Sequence, residues 1–186
     1  MSFRVALYIL KLYGVIMISL AATTVKPKAK SGPYTSTALG LKTCDNPSQP
    51  YVKDPFVRYN LDKNYIKKSL VKGNVTILKD TQNVKTSIKE FYYEDRKWQM
   101  TFNVKNQSCR SQLVGVLLEA FDIMYDKKTC NVPRGTYSFE VNYNTLDHLW
   151  MANREYGRLL RRIEASTKAG TIICLEFEEN VGPEKH

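Results

Sequence analysis

Few residues in this sequence have the types and spacing that catalysis requires. The chain has two histidines, His148 and His186. His148 follows Asp147, a pairing that could serve as a general base with its orienting carboxylate, but no motif places a nucleophile beside it. On strands, the neighbours in Glu94–Asp95 and Glu178–Glu179 point to opposite faces, which favours solvated charges over a catalytic dyad. We therefore expect no enzyme, cofactor or metal site, and a secreted hydrolase stays the enzymatic alternative.

The chain has a formal net charge of +10, and its basic residues include one cluster. Such a charge invites nucleic acid or an acidic membrane as a partner. Aromatic residues do not interleave with the cluster as they do in single-strand binding grooves, so we expect no nucleic acid partner. The cluster instead predicts contact with lipid headgroups, acidic glycans or an anionic membrane, through Arg154, Arg158, Arg161 and Arg162.

The amino terminus predicts secretion. Arg4 precedes an apolar run from Val5 to Leu20, and small residues at Ser19 and Ala21 suit a cleavage site. This is the pattern of a signal peptide over residues 1–21. A transmembrane anchor is the competing interpretation, which Lys11 inside the run disfavours.

A secreted chain can carry disulfides and N-linked glycans, and its cysteines and two of its asparagines are candidates for these modifications. The cysteines are Cys44, Cys109, Cys130 and Cys174, an even number without a CxxC pair. In an oxidising compartment this predicts two disulfides, and spacing alone leaves all three pairings open. Asn74 and Asn106 begin N-glycosylation sequons.

Apolar and polar residues alternate along most of the chain after residue 70, which predicts half-buried β-strands. The alternating segments are Leu70–Leu78, Trp98–Lys105, Tyr137–Tyr143, Tyr156–Ala165 and Ile173–Glu178, with a hairpin turn at Thr167–Gly170 before the last. Gln112–Tyr125 has helical spacing instead, with Ser111 as its cap. We expect a mostly β protein, a two-sheet antiparallel sandwich or cup, with one helix between Cys109 and Cys130. Residues 22–43 are polar and basic and are predicted to be a flexible tail before a domain over residues 44–182.

The apolar stripes of these elements either fill a core or line a ligand cavity between two sheets. Periodicity does not distinguish the two arrangements. The candidate lining residues are Trp98, Met100, Phe102, Leu117, Phe121, Tyr137, Phe139 and Phe177.

The last third of the chain resembles the ML lipid-recognition superfamily, especially the ganglioside activator and its insect chemosensory relatives. The resemblance rests on Cys130–Ser138 (CNVPRGTYS), Leu149-Trp150, the segment from Tyr156 to Ala165, and Gly170–Phe177 (GTIICLEF). Residues 70–130 agree only in general pattern. The chain departs from the activator in having four cysteines rather than eight.

The resemblance implies a β cup that holds a lipid between its sheets. It also implies a bridge between Cys44 and Cys174, and with it the pairing Cys109–Cys130. Trp150 would gate the mouth of the cup. We therefore expect a secreted protein that carries or presents a fatty acid, glycolipid, phospholipid or pheromone-like hydrocarbon, with an anionic membrane or a receptor as a further partner. The alternative is a secreted signalling or receptor-binding protein with a closed core.

Overall fold

The chain folds into two main antiparallel sheets, in which apolar and polar side chains alternate. This confirms the prediction of a mostly β protein. A computed structural model describes residues 30–62 and 70–184. The described residues from Ser31 to Glu184 belong to one compact unit, and Lys30 belongs to another. The predicted signal peptide thus lies outside the described residues. The strands are β1 (Ser31–Gly32), β2 (Tyr34–Thr43), β3 (Val57–Leu61), β4 (Leu70–Ile77), β5 (Lys85–Glu94), β6 (Lys97–Gln107), β7 (Gly135–Asn142), β8 (Arg154–Glu155), β9 (Gly157–Thr167) and β10 (Gly170–Pro183).

The larger sheet has five strands in the order β2-β10-β9-β5-β6. β9 and β10 form the predicted hairpin, in which Thr167 pairs with Gly170. Gly170 has a φ of +133°, and a Cβ there would lie 2.5 Å from the carbonyl oxygen of Pro50. Only glycine fits both the backbone angle and this close approach. The turn thereby lets the last two strands run side by side across the middle of the sheet.

The smaller sheet has three strands in the order β3-β4-β7. In its central strand β4, Val75 pairs with Tyr59 on one side and with Tyr137 on the other. The opposite face carries polar residues, including the ion pair between Lys72 and Glu140 at 2.9 Å. One face of this sheet is thus apolar and the other polar, as half-buried strands require. The two remaining strands, β1 and β8, are short and pair with each other.

Two disulfides join distant parts of the chain, and both predicted pairings are confirmed. Cys44 bonds to Cys174 in β10, and Cys109 bonds to Cys130. The first bridge closes a loop with a sequence separation of 130 residues, and the second a loop of 21. The second loop contains the main helix.

That helix, α1, spans Gln112–Ala120 and lies between Cys109 and Cys130 as predicted. The side chain of Ser111 accepts a hydrogen bond from the Val114 amide, which confirms the cap. The predicted extension to Tyr125 is wrong, because Asp122 adopts a φ of 51° and the chain turns away. A second helix, α2 (Tyr143–His148), was not predicted. Among the described residues, no helix is long and apolar enough to cross a membrane.

The prediction of a flexible tail over residues 22–43 is wrong for its second half. Residues 34–43 form β2, which pairs with β10 along the sheet edge from Tyr34↔Pro183 to Thr43↔Leu175. The side chains of β2 alternate between buried and exposed over its first half. Threonine, serine and a lone alanine gave this alternation too little apolar contrast to be recognised in the sequence. The folded domain therefore begins before Cys44.

Candidate functional site: a cavity between the sheets

A cavity of about 280 Å³ lies between the apolar faces of the two sheets. The larger sheet contributes side chains such as Phe102, Ile163 and Leu175, and the smaller sheet contributes Val75 and Phe139. An apolar cavity of roughly 150 Å³ already holds benzene, and ligand pockets begin at about 300 Å³. The space therefore suits one slender apolar molecule.

The helix α1 and the residues that follow it close one side of the cavity. Leu113, Leu117 and Leu118 line it from the helix, and Phe121 lines it just beyond. The rings of Phe121 and Phe139 meet edge to face, with centroids 4.8 Å apart, so the helix packs directly against the smaller sheet. The Cys109–Cys130 bridge holds both ends of this segment. The helix is thus a fixed wall of the cavity.

Six of the predicted ligand-contact residues do line the cavity. They are Phe102, Leu117, Phe121, Phe139, Trp150 and Phe177. Trp150 follows α2, and its backbone amide donates to the Asp147 carbonyl at 3.0 Å. Its neighbour Leu149 is 64% exposed, so this segment carries apolar side chains from the cavity wall to the protein surface.

Three predicted contact residues do not line the cavity. Tyr137 is buried in the core with Ile77 and Val132, and its hydroxyl donates to the Pro133 carbonyl at 2.8 Å. Trp98 and Met100 are 36% and 55% exposed. Their inward orientation was inferred from a regular alternation that β6 does not keep.

A β-bulge in β6 explains why Trp98 and Met100 lie outside. Phe102 pairs with Glu90 and Met100 pairs with Phe91, so Thr101 is left without a partner in β5. One extra residue reverses the side-chain alternation of the strand beyond it. Phe102 thus lines the cavity, whereas Met100 lies on the opposite face of the sheet.

The outward residues form an exposed aromatic patch. Trp98 packs edge to face against Tyr93, with ring centroids 5.1 Å apart. The guanidinium of Arg158 lies 5.1 Å from the centroid of Tyr93 and 5.7 Å from that of Trp98. Arg158 also donates to Glu178, with its Nε 3.0 Å from Oε1. Contact between Arg158 and a headgroup stays a prediction.

Two of the four predicted headgroup arginines are buried, and for these the prediction of a surface role is wrong. Arg154 and Arg161 have side chains that are 5% and 11% exposed, and both line the cavity. Arg161 shares the inner face of β9 with Leu159 and Ile163, and Arg154 reaches the same side of the sheet from β8. Arg162 lies on the outer face and pairs with Glu176, so its predicted surface role stays open.

Five charged residues on the inner side form what we call the ion network. They are Glu90, Asp147, Arg154, Arg161 and Glu179. All except Glu179 line the cavity. They come from β5, α2, β8, β9 and β10, so the network ties five elements together at one place.

Arg154 occupies the centre of the ion network. Its Nε and Nη2 donate to Asp147 at 2.7 and 2.8 Å, and its Nη1 and Nη2 donate to Glu90 at 3.0 and 3.1 Å. Both pairs are two-point contacts, which match the planar guanidinium to each carboxylate. The four bonds fix the guanidinium in one orientation.

Arg161 joins the same two carboxylates from the next strand. Its Nε donates to Glu90 at 2.8 Å and its Nη2 to Asp147 at 2.8 Å. Tyr34, which is fully buried, donates to Asp147 at 2.7 Å. Burial disfavours the charged forms of Glu90 and Asp147, yet Arg161 and Arg154 outweigh it and lower the pKa of both carboxyls.

Glu179 differs from the other two carboxyls. It is 0% exposed, and its ionic contact with Arg161 is longer than those of the other two carboxyls, at 3.5 Å. Burial raises the pKa of Glu179, and Arg161 opposes this only in part. The prediction that Glu178–Glu179 are solvated charges is therefore wrong for Glu179, which points inward beside Phe177 and Val181 in the same strand.

Sequence reasoning missed Tyr34, Glu90 and Glu179 as members of the site. One signal was available: Glu90 follows Thr86 and Ile88 at every second position, and Glu179 continues the series of Leu175 and Phe177. A charged residue at a position whose strand neighbours face inward must find a buried partner. The partners themselves come from other elements, and sequence spacing does not identify them.

Asp147 and His148 do not act as a pair. Asp147 binds Arg154, Arg161 and Tyr34, whereas the Nδ1 of His148 lies 2.7 Å from the Asn144 carbonyl oxygen. The His148 ring stacks on Tyr34, with centroids 4.5 Å apart. The described residues also contain no group of three or more His, Cys, Asp or Glu arranged to hold a metal ion.

The predicted glycosylation sites differ in their surroundings. Asn106 is exposed near the end of β6, with a φ of 53°. Asn74 is half-buried in the central strand β4, on the polar face of the smaller sheet. A glycan would meet less crowding at Asn106.

No protein-family model matches the chain, and no curated protein matches it significantly.

Proposed function

We propose that this protein binds one hydrophobic ligand between its two sheets and carries or presents it outside the cell. The observation that carries the proposal is the cavity of about 280 Å³, whose lining is apolar apart from the ion network and a few hydroxyl-bearing side chains. Burial of a chain there contributes about 0.8 kcal/mol for each CH₂ removed from water. A closed-core signalling protein would leave no space of this size, because interiors are normally packed to the density of organic crystals.

We further propose that the protein is a secreted member of the ML superfamily. Two disulfides are compatible with an oxidising compartment. The two-sheet architecture and the Cys44–Cys174 bridge agree with what the resemblance implies. Expression of the full chain in eukaryotic cells tests this, since amino-terminal sequencing of protein from the medium should begin at Ala22. Protein retained in the cells with Met1 intact would contradict secretion.

Ligand binding is tested by organic extraction of the purified protein and mass spectrometry of the extract. We expect a co-purified hydrophobic molecule near one equivalent, and saturable binding of an uncharged apolar fluorescent probe such as N-phenyl-1-naphthylamine. The reduced and denatured protein serves as the control for unspecific adsorption. No extracted molecule together with no saturable probe binding would overturn the proposal.

A further inference from the structure

The charge balance of the ion network limits what the cavity accepts. Arg154 and Arg161 contribute two positive charges, and Glu90 and Asp147 contribute two negative charges whose pKa values the arginines lower. Burial raises the pKa of Glu179, which contributes no charge when protonated and a third negative charge when ionised. The network is therefore either neutral or negative. In neither state does it offer a positive excess to an anionic ligand.

The hydrogen-bond donors of the network are almost fully used. All three nitrogens of Arg154 donate to Asp147 or Glu90. Arg161 uses Nε and Nη2, whereas its Nη1 donates to none of the described residues. Arg161 lines the cavity. One donor group at the cavity wall is thus available to an acceptor atom.

Three of the four hydroxyl-bearing side chains in the lining are already engaged, and the fourth belongs to Thr86. Thr81 donates to the Val132 carbonyl at 3.2 Å, and Tyr143 donates to the Ser36 carbonyl at 3.1 Å. Tyr59 shares a hydrogen bond with Thr43. A ligand oxygen placed far from Arg161 would contact mainly aliphatic and aromatic side chains. These do not replace the hydrogen bonds that the oxygen makes with water before it binds.

We propose that the cavity selects an uncharged ligand, an apolar chain with a neutral acceptor such as an ester or ketone carbonyl that accepts from Arg161, and excludes carboxylates and phosphates. This inference rests on the proposed function and narrows it. A buried anion would lose its hydration beside a network without spare positive charge. A neutral carbonyl loses much less hydration and gains one donor.

The test compares two ligands with the same chain length. Methyl dodecanoate and dodecanoate displace N-phenyl-1-naphthylamine from the wild-type protein at pH 7.5, below their aggregation concentrations. We expect the ester to compete at a concentration at least about tenfold lower, a difference that corresponds to roughly 1.4 kcal/mol. Equal or tighter binding of dodecanoate overturns the inference and leaves the proposed function intact. Failure of the probe and both ligands to bind overturns the proposed function itself.

Two matched variants test whether charge balance is the cause. Glu90→Gln in the Glu179→Gln background removes one ionised carboxyl and leaves the network with one excess positive charge, and no titration of Glu179 can offset it. Dodecanoate should then bind at least about tenfold more tightly than it does to the wild type, since an opposite charge becomes available. Glu179→Gln alone makes the network neutral whatever the state of Glu179 in the wild type, and it should retain the preference for the ester.

Circular dichroism establishes that each variant is folded before binding is measured. An unchanged ester preference in the folded double variant, or a lost preference in Glu179→Gln, would contradict the charge-balance explanation. If the double variant does not fold, the comparison of ester and carboxylate on the wild type and Glu179→Gln still decides the inference.

Discussion

The Nη2 atom of Arg161 lies 3.5 Å from Oε1 of Glu179, and Glu179 is fully buried. The same Nη2 lies closer to Asp147, at 2.8 Å. Arg161 therefore favours the ionised form of Asp147 more than that of Glu179. The pKa values of two carboxyls that share one guanidinium are therefore shifted in opposite directions, and the stability of the protein must depend on pH through both.

Acid should destabilise the protein through Glu90 and Asp147. Their pKa values are lowered in the folded state, so they contribute stability above their unfolded values and lose it as the pH falls through the folded values. We expect the free energy of unfolding to drop below about pH 4, near the ordinary carboxyl range. Urea denaturation between pH 2.5 and 7 measures this, and a flat profile in that range would contradict it.

Glu179 should have the opposite effect. Burial raises its folded pKa, so its contribution is complete below the unfolded value of about 4.5 and is lost as the pH rises through the folded value. Glu179→Gln removes this titration. The variant should therefore lose less stability than the wild type between pH 5 and 9, and parallel profiles would argue against a neutral Glu179.

Loss of Arg154 should destabilise the fold strongly. Arg154→Met leaves Glu90 and Asp147 with only Arg161 as a cationic partner in a buried site. Removal of one partner from a buried ion pair costs about 3–5 kcal/mol. The matched control is Arg158→Met, which removes an exposed ion pair on the outer face and should cost about 1 kcal/mol or less. Equal effects in urea denaturation would contradict the central position of Arg154.

Filling the cavity should separate binding from stability. Ala165 lines the cavity from β9, and Ala165→Leu adds three carbons toward the open space. We expect probe binding to weaken at least about tenfold while the free energy of unfolding stays equal or rises by about 0.5–2 kcal/mol. Met100→Leu, at an exposed position on the other face, is the control and should leave both quantities unchanged. Unaltered binding in Ala165→Leu would place the ligand elsewhere.

The two tryptophans should report ligand binding differently. Trp150 lines the cavity, whereas Trp98 is exposed on the aromatic patch. A bound ligand should change the emission of Trp150 and leave that of Trp98 unaltered. Titration of Trp98→Phe with methyl dodecanoate should thus reproduce the wild-type change, and Trp150→Phe should abolish it. A change that follows Trp98 instead would move the binding site to the outer face.

The two disulfides should contribute unequally to stability. In the chain-entropy description, a loop of 130 residues corresponds to about 5 kcal/mol and one of 21 residues to about 3 kcal/mol. Replacement of Cys44 and Cys174 by alanine should therefore cost more than replacement of Cys109 and Cys130. The reverse order in urea denaturation would show that the smaller bridge stabilises the folded state directly, through its hold on α1.

Sequence reasoning predicted what depends on neighbours within one strand or helix. The alternation from Tyr137 to Val141 predicts an inward face because each side chain is compared with those two positions away. The bulge at Thr101 depends on how β6 pairs with β5, which lies outside any local pattern. A single unpaired residue therefore places Trp98 and Met100 on the outer face, and the spacing of these two residues in the sequence gives no sign of it.

The ion network shows a second limit of sequence reasoning. Arg154 and Arg161 form a charge cluster in the sequence, and a cluster of cations ordinarily lies in water. Their partner Glu90 is far away along the chain and meets Arg161 because β5 pairs with β9. The pairing of strands thus decides whether the cluster faces solvent or the interior.

The Cys44–Cys174 bridge also determines how the domain bears tension. A force applied between Ser31 and Glu184 is transmitted along β2, through the disulfide, and back along β10. These two strands start side by side at Tyr34 and Pro183, so their hydrogen bonds would open one after another up to the bridge. The covalent link then passes the load directly between the two cysteines. Once the short β1–β8 pairing has opened, the span between them, which holds β5, β9 and α1, would carry no load along the chain.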